Sequence, residues 1–147
     1  MAAAVIAVVA TIVMFQINQK RPTLVVQNQE TGQVYYQTDA QDGLKVTLRW
    51  IHSIEHEPWQ ETYFVEGNGL ILDEIAIKSY GAGVDGDPGG ITTVENGVIY
   101  TREINRRIED LRWVHSHDTK HTLRVGDHLI DTTDIEHRAF VVLKITE

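Results

Sequence analysis

From Thr23 onward the chain alternates apolar and polar residues with a period of two, the pattern of strands with one face in a core and the other in water. In "LKVTLRWIH", Leu44, Val46, Leu48, Trp50 and His52 share one face, while Lys45, Thr47 and Arg49 share the other. "TLVVQ" (Thr23–Gln27) and "QVYYQT" (Gln33–Thr38) predict a hairpin about Glu30-Thr31-Gly32. "ETYFVEG" and "GLILDEIAIKS" follow, parted by the turn residues Gly67-Asn68-Gly69. In "TTVENGVIYT", Asn96-Gly97 lies between two β-branched arms and predicts a tight hairpin. "LRWVHSH", "HTLRVG" and "RAFVVLKITE" supply three more strands. One segment breaks the period: in "REINRRIEDL", Ile104, Ile108 and Leu111 fall at i, i+4 and i+7 and predict a short helix or turn. About nine short strands with Gly and Asn turns predict an all-β fold, an antiparallel β-sandwich or a partly open barrel. No repeat, low-complexity tract or linker divides residues 20–147, which read as a single β-domain.

Residues 1–19 have a different character. "MAAAVIAVVATIVMF" carries no charge, and Lys20-Arg21-Pro22 follow shortly after it. This reads as a hydrophobic signal or anchor segment. No small-x-small cleavage pattern follows Phe15, which favours an uncleaved anchor helix, while Lys20-Arg21 would by charge alone hold the β-domain on the cytoplasmic side.

Charge and composition remove several function classes. The formal net charge is −8, and the 13 Lys and Arg are dispersed, so nucleic acid is not an expected partner. Cysteine is absent, which excludes disulfides, thiolate metal sites and a cysteine nucleophile.

Three stretches concentrate chemistry. In "HSIEHEPWQETY", His52 ends a strand on its apolar face, Ser53–Trp59 form a loop, and Glu61 opens the next strand. A His there needs a hydrogen-bond partner, and Glu61 across the hairpin is placed to supply one. Either His52, Glu55 and Glu61 line a ligand or metal pocket, or a His–carboxylate clasp merely fixes the hairpin, with His56 and Glu57 solvated. In "SYGAGVDGDPGG", glycines at 81, 83, 86, 89 and 90 let backbone amides approach an anion or another chain. Asp85 and Asp87 raise calcium, but Gly89, Asn96 and the lack of flanking helices do not fit an EF-hand, so an irregular turn at a sheet edge is expected. In "HSHDTKH", His115 and His117 share a face, as zinc sites require. Asp118 and His121 miss the metallo-hydrolase spacing, so a polar hairpin tip between two strands is expected in place of a metal centre. No nucleophile elbow, P-loop, Rossmann fingerprint or zinc-protease motif occurs. No catalytic residue, cofactor or metal is therefore assigned.

Taken together, "RPTLVV" (Arg21–Val26), "HSIEHEPWQE" (His52–Glu61) and "SYGAG" (Ser79–Gly83) resemble the family called domain of unknown function 1850. His52, Ser53, Glu55, Pro58, Glu61, Ser79, Gly81, Ala82 and Gly83 occupy its signature positions. The resemblance implies a small membrane-tethered or exported β-protein, often encoded beside TRAP transporters of the TAXI type, which import organic acids. The implied role is a non-enzymatic accessory or docking domain at the cell membrane. Its β-domain would be extracytoplasmic, and its partner would be the TRAP transporter membrane subunit or its solute receptor. The resemblance brings no catalytic residue with it. It does group the signature residues, so His52, Ser53, Glu55, Glu61, Ser79, Gly81 and Gly83 are expected to form one ligand-binding surface. The alternative is a small-ligand or metal-binding β-domain using His52 and Glu61. A hydrolase with His52 as general base has the least support, because no oriented nucleophile accompanies it.

Overall fold

The computed structural model describes residues 21–147. It contains strands β1 (Thr23–Asn28), β2 (Val34–Asp39), β3 (Lys45–Ile51), β4 (Pro58–Glu66), β5 (Gly69–Ile77) and β6 (Ile91–Glu95). After these come β7 (Val98–Arg102), β8 (Arg106–Ile108), β9 (Asp110–Val114), β10 (Thr122–Val125), β11 (His128–Ile130) and β12 (Phe140–Thr146). All pairing is antiparallel, in two sheets. The smaller runs β2-β1-β12-β9, and the larger runs β11-β10-β3-β4-β5-β7-β6, with β8 also paired to β5. Both sheets keep free edges, so the fold is all-β but not a closed barrel. Among the described residues no helix is long and apolar enough to cross a membrane. The anchor helix expected over residues 1–19 lies outside the described residues.

The period-two faces meet in one core. Leu24 and Val26 of β1, Leu111 and Trp113 of β9, and Val141 and Leu143 of β12 come from the smaller sheet. Against them pack Val46 and Leu48 of β3, Tyr63 and Val65 of β4, Leu70 and Leu72 of β5, and Leu123 and Val125 of β10. A fully buried aliphatic side chain contributes about 1.5–3 kcal/mol. An exposed ion pair such as Arg21–Asp39 contributes only about 0–1 kcal/mol. The buried layer therefore holds the two sheets together.

Three local expectations are corrected. The segment predicted as a short helix or turn holds no helix: it is a strand interrupted by two left-handed residues. Ile104 is buried, Glu103 and Asn105 stand at φ 58° and 53°, and the Ile104 N–H donates to the Asp73 carbonyl. Two left-handed residues turn the chain twice, so the apolar spacing of Ile104, Ile108 and Leu111 reaches the core without a helix. Secondly, β4 begins at Pro58, which leaves His52–Glu57 as the hairpin loop and pairs Trp59 with Trp50. Thirdly, "HSHDTKH" is not a hairpin tip. Strand β9 belongs to the smaller sheet and β10 to the larger, so this segment crosses between sheets. The hairpin at Asn96-Gly97 forms as expected, with φ of 51° and 78°.

Candidate functional site

The β3–β4 loop is closed by backbone bonds from His52 N–H to the Glu57 carbonyl and from His56 N–H to the His52 carbonyl, 2.8 and 2.9 Å long. That turn brings Glu55 back over His52, and Glu55 Oε2 meets His52 Nδ1. The other oxygen, Oε1, accepts the Ala82 N–H at 2.9 Å. One carboxylate thus ties the β3–β4 loop to the glycine-rich loop after β5. The Ala82 amide, ahead of the nearby imidazoles, holds the Glu55 carboxyl below its ordinary range. Glycine at 81 is a steric requirement here. A Cβ at that position would lie 2.2 Å from Glu55 Cδ.

Glu61 is elsewhere. It stands opposite Leu48, on the inward face of β4, and not beside His52. Its Oε1 accepts the Trp59 indole N–H at 3.1 Å, and its Oε2 accepts the Tyr63 hydroxyl. Burial pushes the Glu61 carboxyl up, against the two donors that favour its charge. Burial and the adjoining carboxylate also push the Tyr63 hydroxyl well above its usual range. The His52–Glu61 pairing expected from the sequence is therefore replaced by two separate pairs, because β4 starts earlier and carries Glu61 deeper. Trp59 lies between them: its ring stacks on His52 at 5.6 Å while its N–H holds Glu61.

Of the residues expected to form one surface, the structure brings His52, Glu55, Ser79 and Gly81 together. Ser53 is exposed on the opposite side of His52, and Gly83, at φ 81°, has open space about it. Between His52, Trp59, Ser79 and Gly81 lies a void of only about 10 Å³, room for one water at most. The clasp is consequently a closed joint, without space for a small ligand. It leaves apolar side chains outside: Ile54 is 64% exposed and Tyr80 67%, one on each of the loops it joins.

Sequence reasoning missed what lies on the other side of His52. Trp59 stacks on Trp50 at 5.4 Å, and Trp50 on His121 at 5.9 Å. His52, Trp59, Trp50 and His121 thus form a row of rings across β4, β3 and the start of β10. The signal was available: with β4 extended to Pro58, Trp50 and Trp59 become directly opposed. An open groove of about 720 Å³ begins here, lined by Trp50, Ser53, His121, His137 and Arg138 among others. Beneath it His115 is 2% exposed, and burial with the neighbouring imidazoles pushes it down to about 4.

The geometry defines an all-β, two-sheet domain whose sequence-specific loops are joined by one carboxylate. The family model for the domain of unknown function DUF1850 matches residues 46–131, and the chain belongs to that family. The match runs from β3 through β11 and includes both loops of the clasp. Neither comparison with curated proteins nor comparison with solved structures gives a match.

Proposed function

We propose that this protein is a non-enzymatic docking domain, anchored in the cell membrane through residues 1–19 with its β-domain outside the cytoplasm. Its role is that of an accessory subunit of a TAXI-type TRAP importer of organic acids. The observation that carries the docking reading is the Glu55 clasp. It ties two long loops to each other, with exposed Ile54 next to Glu55 on one and exposed Tyr80 next to Gly81 on the other. Exposed apolar side chains on a rigidified surface suit a protein partner. A hydrolytic reading gains nothing from the same residues. His52 is engaged by Glu55, and both oxygens of Glu55 and of Glu61 are engaged, so none of the three stands free as a general base. The importer as partner, the anchor and the outward orientation rest on the resemblance of the signature stretches.

Co-purification from membranes tests this. Full-length protein carrying Ile54→Ser and Tyr80→Ser should lose the TRAP membrane subunit or its solute receptor while its melting temperature holds. Undiminished recovery of the importer with that variant refutes the docking surface. Protease added to intact cells should cut the β-domain, and its protection beside a cleaved surface protein refutes the orientation.

A further inference from the structure

The crossover between the sheets, unused by the docking surface, carries three imidazoles. His115 follows β9, His117 comes two residues later, and His121 precedes β10. A fourth, His137, meets them from the loop before β12. Two of the four hold consecutive backbone N–H groups of the crossover turn. His121 Nδ1 accepts the Ser116 N–H at 3.4 Å, and His137 Nδ1 accepts the His117 N–H at 3.3 Å. The Thr119 hydroxyl reaches His121 Nδ1 as well, at 2.9 Å. An imidazole nitrogen accepts only while it carries no proton, so both N–H bonds require neutral rings protonated on Nε2. His117 differs: its Nε2 donates to the Ile135 carbonyl at 2.9 Å, a bond that its charged form keeps. The turn in turn supports β3, because the Ile51 N–H donates to the Thr119 carbonyl at 2.7 Å.

Acid acts on the accepting nitrogens directly. A neutral ring of this tautomer takes its second proton on Nδ1, the atom that holds the turn. Donor would then face donor. At His121 the Ser116 carbonyl is 3.5 Å from Nδ1, so the charged ring exchanges the Ser116 N–H for that carbonyl, and the turn shifts. The cluster takes up charge poorly. Ring centres lie 5.5 Å apart for His115 and His117, 5.6 Å for His115 and His121, and 5.4 Å for His117 and His137. His115 is 2% exposed, and among the described residues its Nδ1 has no hydrogen-bond partner. Burial, then the neighbouring imidazoles, push His115 down to about 4, and burial pushes His121 below its ordinary 6.5. A released chain therefore binds these protons more readily than the held one. The held turn is favoured above pH 6.5 and loses ground as pH falls towards about 4.

We propose that the crossover between β9 and β10 is an acid-released latch: protonation of His121 and His137 frees the Ser116–His117 turn and loosens the end of β3 bonded to it. The surrounding charges are exposed and leave the latch to the imidazoles. On the crossover they are Asp118, whose Oδ2 lies 3.9 Å from His137 Nε2, and Lys120. The loop before β12 adds Asp131, Asp134, Glu136 and Arg138. On β3, Arg49 stands on the face opposite Trp50, and His52 beyond it is engaged by Glu55. Arg112 of β9 is held by Asp110 and Gln29, and Arg124 of β10 by the Asp127 carbonyl. Asp118 alone reaches one of the two latch rings, and it pairs with His137 once that ring is charged.

Hydrogen exchange of full-length protein in detergent, corrected for the intrinsic effect of pH, tests the latch. Between about pH 8 and about pH 5, protection of the Ser116, His117 and Ile51 amides should fall at least about fivefold more than that of amides in β4. Asparagine in place of each latch histidine sets an amide oxygen where Nδ1 stood, and that oxygen does not titrate. The His121→Asn/His137→Asn double variant should therefore keep the turn at about pH 8 and show no extra loss in acid. His128→Gln, exposed on another surface, should respond as the unaltered protein does. Nitrogen NMR spectra of the imidazoles in the unaltered protein read the tautomers, and they keep the test decisive if the double variant does not fold. An unprotonated Nδ1 on both His121 and His137 at about pH 8 is expected. A proton on either Nδ1 at that pH overturns the latch, as does the absence of extra loss at the turn in acid. An undiminished loss in the folded double variant, or a lost response in His128→Gln, overturns it equally.

Discussion

Replacing Gly81 by alanine tests whether the two loops are coupled as the geometry says. The new Cβ would meet Glu55 Cδ at 2.2 Å, whereas carbon contacts settle near about 3.5 Å. The carboxyl must retreat by roughly 1.3 Å to reach that separation. A retreat of that size strains or breaks the 2.9 Å bond to the Ala82 N–H and draws Glu55 off His52. Because Glu55 can swing into solvent, Gly81→Ala should cost as much as Glu55→Ala, and the double variant no more than either alone. That is full coupling in a double-mutant cycle. Thermal melts of the three variants supply the cycle, and the Ala82 amide resonance reports the bond directly. The pH dependence is fixed in sign. Chiefly through the Ala82 bond, Glu55 titrates below its ordinary value of 4.5 when folded. The clasp therefore stabilises above that pH, and its contribution disappears as pH falls through the depressed folded value. The gap between unaltered protein and Gly81→Ala should close in acid. Additive costs in the cycle, or a gap that does not narrow as the Glu55 carboxyl is protonated in acid, would refute the coupling.

Tyr63→Phe should cost about 1.5–3 kcal/mol, because it removes a hydroxyl donor from the inward-facing Glu61 carboxylate. Burial raises the Glu61 titration, so the loss should be largest at neutral pH and shrink in acid as the carboxyl takes a proton; urea melts at two pH values decide. Gly90→Ala should cost at least about 1–3 kcal/mol, since Gly90 combines φ 74° with a Cβ position 2.1 Å from the Arg102 carbonyl oxygen. Gly83→Ala, at φ 81° but with open space around it, should cost less, and the reverse order in thermal melts would refute the steric account.

The fold was legible wherever one face of a strand is buried. Val46 and Leu48 against Lys45 and Arg49 show the alternation cleanly, and Asn96-Gly97 marks its hairpin by the left-handed backbone both residues adopt. It was illegible where backbone conformation overrode side-chain period. The helical spacing of Ile104, Ile108 and Leu111 is met instead by left-handed Glu103 and Asn105 between β7 and β8; Asn tolerates that backbone, but a glutamate gives no warning of it. At the site, the signature stretches rightly joined His52 to the Gly81 turn, but the carboxylate between them is Glu55. Choosing Glu61 followed from starting β4 two residues late. Pro58 and Trp59 resemble loop residues, yet Trp50 draws Trp59 into register by stacking. His137 was invisible for a simpler reason: it lies in the loop before β12, and only the three-dimensional fold sets it against His117.

The family match covers residues 46–131 and so contains the clasp, most of the larger sheet's strands and the three imidazoles, but not β1, β2 or β12. Those three strands nonetheless form most of the smaller sheet and cover the inner face of the larger one. Leu24, Val26, Val141 and Leu143, all fully buried, come from β1 and β12. At about 1.5–3 kcal/mol each, these four side chains contribute on the order of 10 kcal/mol. That is comparable with the whole net stability of a domain, about 5–15 kcal/mol. Strand β9 would also lose β12, its partner in the sheet, and leave Leu111 and Trp113 without their cross-strand neighbours. A fragment limited to residues 46–131 should therefore have no cooperative unfolding transition and a poorly dispersed amide spectrum, even though it holds every signature residue from His52 to Gly83. Residues 21–147 should fold cooperatively under the same conditions. If the shorter fragment unfolds cooperatively with dispersed resonances, the smaller sheet is dispensable, and the core assigned to both sheets belongs to one.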